Sequence, residues 1–114
     1  MRFRWSALLI GAGLAAAACA PGSPDPPREP GGEVDPVLLT GQEVYEAECS
    51  RCHGESGGGG FGPKLSEGQA AIVYPDIADE IAIIADGRSG MPGFAAKLSP
   101  DEIEAVTRYT REVL

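Results

Sequence analysis

Three stretches of the chain carry apolar residues at helical spacing. The clearest is the last, where Ile103, Val106, Tyr109 or Thr110, and Val113 recur on one face. Ser99, Pro100 and Glu102 stand before it as N-cap, first-turn proline and closing residue of a capping box. A second helix is predicted from Pro75 or Asp76 to Asp86, with Ile77, Ile81 and Ile84 at i, i+4 and i+7 and Gly87 as its stop. The first opens on Thr40, which with Glu43 has capping-box spacing, and extends to about Cys49 with Val44, Tyr45 and Ala47 as its apolar members. No alternating run of strand type occurs, so residues 37–114 read as an all-α domain of three main helices. Between the first two helices lies a loop with Gly54, Gly57 to Gly60 and Gly62, too flexible to hold a shape without something to wrap.

The pattern before residue 37 is different in kind. Arg2 and Arg4 are followed by an apolar run from Trp5 to Ala18, the build of an export signal over residues 1–18. As a helix this run would reach only about 21 Å, short of the roughly 30 Å of a bilayer core, so it falls short of a transmembrane anchor. It ends in Ala16, Ala17, Ala18 and Cys19, which resembles a bacterial lipobox, where cleavage frees a Cys that then receives lipid. The usual Leu three places before the Cys is Ala16 here, and ordinary cleavage at the same small residues would leave Cys19 a free thiol. Residues 19–36 thus read as a lipid-anchor Cys and a Pro- and Gly-rich linker, disordered because it has almost nothing to bury. Extended, such a linker reaches up to roughly 50 Å.

Composition narrows the function. Nine Lys and Arg against 17 Asp and Glu give a formal net charge of −8, which excludes the basic footprint that nucleic-acid binding needs. The chain has one His, three Cys and two Met, one of them the initiator, so sites that need several imidazoles or four thiolates are excluded by count.

Cys49, Ser50, Arg51, Cys52 and His53 spell C-x-x-C-H, the attachment sequence for c-type haem. Two thiols three positions apart can add to the two vinyl groups of one haem, and the adjacent imidazole can then face the iron. A thioredoxin-like thiol pair would want a strand before it and has no use for the His. A zinc site would have to borrow Cys19 across the linker as its fourth ligand.

Around this motif the sequence resembles the class I monohaem c-type cytochromes, over the whole of residues 37–114. Gly41, Tyr45, Cys49, Cys52, His53 and Gly54 match that family's opening pattern, and Tyr109 stands where its last helix supplies an answering aromatic. Gly62, Pro63 and Leu65 resemble the segment whose Pro carbonyl accepts the proximal Nδ1–H and whose next apolar residue lies on the haem face. Gly90, Met91, Pro92, Gly93 and Phe94 resemble the loop of the sixth ligand. The resemblance implies a small cytochrome c-like fold of three main helices wrapped around one covalent haem c. It also implies the cofactor residues Cys49, Cys52, His53, Pro63, Leu65 and Met91, with His53 and Met91 on the iron. Apart from Met1, Met91 is the only Met, and His53 is the only His. Phe61, Leu65, Tyr74, Ile81, Phe94 and Leu98 are expected as pocket walls, and Arg88 as a candidate partner for a propionate. No Trp follows the leader, whereas many relatives place one near a propionate.

A doubly ligated iron changes charge and leaves no position for a substrate. The expected function is one-electron transfer outside the cytoplasm, not an enzymatic activity, between redox proteins such as a membrane or periplasmic oxidase, reductase or dehydrogenase. Two alternatives stand beside it: a haem sensor in which Met91 detaches, and a dedicated subunit of a larger oxidoreductase. The chain is expected as a monomer, anchored by lipid on Cys19 or, failing that, soluble in the periplasm.

Overall fold

The computed structural model describes residues 22–114. The export signal expected over residues 1–18 and the lipid-anchor residue expected at Cys19 lie outside the described residues. Among the described residues the order is α1 (Pro36–Val44), a wider π-helical turn (Tyr45–Cys49), α2 (Ser50–His53), α3 (Gln69–Val73), α4 (Ile77–Asp86) and α5 (Pro100–Glu112). The domain is helical, with only two isolated bridge pairs among the described residues and no helix there long and apolar enough to cross a membrane.

The last two long helices follow the sequence pattern closely. In α5 the Ser99 side chain accepts from the Glu102 backbone and the Glu102 side chain returns to the Ser99 N–H, the full capping box. Asp76 caps α4 by accepting from Ala78, and Gly87, at φ +79, ends it in the left-handed region.

The start of α1 departs from the expectation. Its N-cap is Asp35, which accepts from Val37 at 2.8 Å, and Pro36 holds the first helical position. Thr40 lies inside the helix and donates to the Pro36 carbonyl one turn back, so the spacing to Glu43 is not a capping box. The short α3, with Gly68 at φ +75 before it, was not predicted, because five residues cannot show a periodicity.

Helices α1 and α5 cross at Gly41, where a Cβ would fall on the Ala105 carbonyl and within 2.7 Å of Tyr109 Cβ. That close approach buries Tyr45 and Tyr109, both 0% exposed, with ring centroids 5.5 Å apart. Val44, Ile84, Phe94, Ile103 and Val106 complete the core around them.

The described part of the linker carries no helix before Pro36, yet it is held. Arg28 and Val34 pair across a turn. The Tyr109 hydroxyl donates to the Pro24 carbonyl at 2.5 Å, Gln42 donates to Asp25 at 3.1 Å, and Asp35 pairs with Arg108. Pro26 is buried. The α1–α5 face thus supplies the polar partners that a Pro-rich segment lacks within itself.

Candidate functional site

The helix that begins at Pro36 runs through its π-helical turn directly into the C-x-x-C-H motif, so Cys49, Cys52 and His53 ride on one continuous element pinned at Gly41. Gly54, at φ +83, stops it, and its carbonyl accepts the Tyr45 hydroxyl at 2.7 Å. The glycine-rich loop then folds back on the motif. Gly59 N–H donates to the His53 carbonyl and Gly62 N–H to the Cys52 carbonyl, both at 2.7 Å, while Gly57 accepts from Leu65 and Ser66. The loop expected to lack a shape of its own is therefore closed by backbone hydrogen bonds.

His53 is buried, and its Nδ1 lies 2.8 Å from the Pro63 carbonyl oxygen. A carbonyl can only accept, so Nδ1 carries the proton and Nε2 keeps its lone pair for a metal. The ring fits only because residue 62 is Gly: a Cβ there would come within 2.8 Å of His53 Cε1 and 2.9 Å of Nδ1.

Met91 arrives from the other side of the sequence. Arg88 N–H donates to the Met91 carbonyl at 3.0 Å and Met91 N–H returns to the Arg88 carbonyl at 2.7 Å, closing a tight turn with Gly90 at φ +82. Phe94 and Ala95 then tie back to the carbonyls of Ile84 and Ala85, which fixes the turn to the end of α4.

These segments enclose a cavity of about 580 Å³. Cys49, Cys52, His53, Pro63 and Met91 all line it, with Phe61 and Phe94 among its apolar walls. Leu65, Ile81 and Leu98 pack against the core and are not among the lining residues. Tyr74 and Arg88 line a separate depression beside α4, where Arg88 donates to the Tyr74 hydroxyl. Sequence reasoning missed Glu48, Arg51 and Lys97 at the cavity, and the 2.7 Å ion pair between Lys97 and Glu48. No sequence signal joins two charged residues so far apart.

Burial, with smaller contributions from Glu48 and Cys52, pushes the Cys49 thiol up to about 12. A redox-active dithiol needs the opposite shift, toward thiolate. Two thiols, an imidazole with a free Nε2 and a thioether, all on one largely apolar cavity, are the donor set that a covalent haem requires, and the residues present fit that group.

Comparison with known proteins gives a consistent result. Residues 36–109 match the family described as cytochrome C oxidase, cbb3-type, subunit III. The chain is 36% identical over 77 residues to the cbb3-type cytochrome c oxidase subunit FixP of Azorhizobium caulinodans, a match covering 65% of this chain and 26% of that protein. It is 34% identical over 95 residues to cytochrome c-551 of Bacillus subtilis, covering 81% and 82% of the two. Among solved structures, cytochrome cL of Methylophaga aminisulfidivorans superposes with a TM-score of 0.58 at 31% identity, over 68% of this chain and 53% of that one. The chain thus spans about a quarter of the oxidase subunit and most of the small cytochrome.

Proposed function

We infer, for a chain that belongs to this cytochrome c family, that it is a one-electron carrier working between redox proteins outside the cytoplasm. The family's cofactor is one covalent haem c, which supplies a one-electron couple at its iron. Cys49 and Cys52 would hold it through thioethers, His53 would be the proximal ligand and Met91 the distal one.

Each residue has a role that follows from its chemistry. Pro63 orients the imidazole and, by accepting its proton, raises the basicity of Nε2. The soft Met91 thioether would favour the lower oxidation state of the iron. Phe61 and Phe94 supply apolar walls that disfavour a net positive centre. With His53 and Met91 both given to the iron, the chain would move an electron and transform no substrate, and would not be an enzyme in isolation. The observation that carries this reading is the convergence of His53, with its proton directed away, and Met91 on the same cavity.

Phe61 is 89% exposed while lining the cavity, an apolar surface of the sort a transient redox partner covers. A second reading, as a subunit of a larger oxidase, is favoured by the likeness to FixP and by the family matched. The leader and Cys19 support export and lipid anchoring to a membrane on its periplasmic or extracytoplasmic side.

Two measurements on protein from its native host test the proposal. A potentiometric titration should follow a reversible one-electron curve, and the intact mass should show one haem together with lipid on Cys19. A mass without haem overturns the carrier reading. A haem-bearing mass with an unmodified Cys19 removes only the anchor.

A further inference from the structure

Glu80, in the first turn of α4, is 5% exposed, and its carboxylate engages two residues of α5: Thr110 donates to it at 2.7 Å and Arg111 at 3.0 Å. Arg111 is itself largely covered, and its guanidinium reaches past Glu80 to two carbonyls, those of Tyr74 at 2.7 Å and Pro75 at 3.2 Å. A planar fork with fixed donors suits such a multiple contact, and a lysine could not reproduce it. Tyr74, held by its backbone, presents its hydroxyl to Arg88 at 3.0 Å. Arg88 is one end of the two-bond backbone turn whose other end is Met91.

We propose that Arg111 and Tyr74 are positioning residues for Met91, acting through Arg88 to hold the Met91 turn closed. The covered end of the relay, Glu80 with Arg111, gives a fixed reference on α5, and the exposed end, Tyr74 with Arg88, passes it to the turn. The effect reaches the iron by population. When the turn opens more often, Met91 leaves more often and an external ligand takes its place, so the apparent affinity for that ligand rises with the open fraction. The bond between Arg88 and Tyr74 is an exposed one to a charged group, and its loss is expected to change the open fraction about five- to tenfold.

The proposal rests on Met91 as axial ligand. The test uses the full haem-bearing chain in the ferric state and follows the thioether-to-iron charge-transfer band while imidazole is added. Tyr74→Phe keeps the ring and removes the hydroxyl; Arg88→Gln removes its partner. Each should displace Met91 at about five- to tenfold lower imidazole, and the double variant should do no more than either alone. Arg111→Lys, if it folds, should behave alike. Leu38→Val, at a buried α1 position outside the core cluster against which Met91 packs, should lower the melting temperature without moving the imidazole midpoint. An unchanged midpoint in Tyr74→Phe, or additive effects in the double variant, overturns the relay. Absence of the thioether band in the parent protein overturns the Met91 assignment itself.

Discussion

Nδ1 of His53 stands 2.8 Å from the carbonyl oxygen of Pro63, and the residue before that proline is a glycine against the imidazole ring. The hydrogen bond fixes both the tautomer and the direction of Nε2, and the missing Cβ makes room for it. Gly62→Ala is therefore expected to push the ring off the carbonyl at an overpacking cost of about 1–3 kcal/mol. Thermal unfolding of the haem-bearing protein should show the loss, and the reduction potential should rise as Nε2 loses the basicity that the Pro63 carbonyl gives it. A variant with unchanged melting and potential would mean that the loop absorbs the methyl group.

The cavity makes a second expectation. A small helical domain with an open cavity of about 580 Å³ at its centre lacks the apolar mass it needs. The chain with Cys49 and Cys52 both changed to Ser should lose most of its helicity and melt without cooperativity. Native-like circular dichroism and a sharp transition in that variant would show that the helices need no cofactor.

Alkaline pH should weaken the fold in a defined window. Burial first, and then the negative charges of Glu46 and Asp25, push Tyr109 up to about 12 from its ordinary 10. Between those values the unfolded chain has released the proton and the folded chain still holds it, so stability falls as pH rises from 10 to about 12. Denaturant midpoints should drop across this range. Tyr109→Phe should flatten the dependence, although Tyr45, shifted the same way by burial, keeps part of it.

Tyr109 also fastens the linker. Removing its hydroxyl breaks the contact with Pro24, and Gln42→Ala breaks the one with Asp25. Each should cost about 1 kcal/mol, and the double variant should be cut faster by a protease within residues 22–35. Equal cleavage rates in parent and double variant would mean that the segment is free in solution.

The candidate site is legible in the sequence because covalent and ligand chemistry needs scarce residue types at fixed spacing. Cys49, Cys52, His53 and Met91 were found that way, and the structure brings all four to one cavity. The capped helices α4 and α5 were legible because Asp76, Gly87 and Ser99 act on their immediate neighbours. Asp35 and Pro36 carry an equally local start signal, but they close a proline-rich run whose composition hides it. What depends on distant partners could not be read: the ion pair of Glu48 with Lys97, the seating of Pro24 on Tyr109, and the clamp of Arg111 on Tyr74. Leu65 lies two residues past Pro63 as the resemblance expects and packs against the core cluster, as Met91 and Cys49 also do.

The central claim is that Met91 and His53 together close the iron to outside ligands, and carbon monoxide tests it most directly. The absorption spectrum of the reduced haem-bearing protein should be the same before and after equilibration with carbon monoxide at neutral pH. A shifted spectrum under carbon monoxide would mean that the distal position is open or readily vacated, and the protein would then be a ligand-binding module instead of an electron carrier.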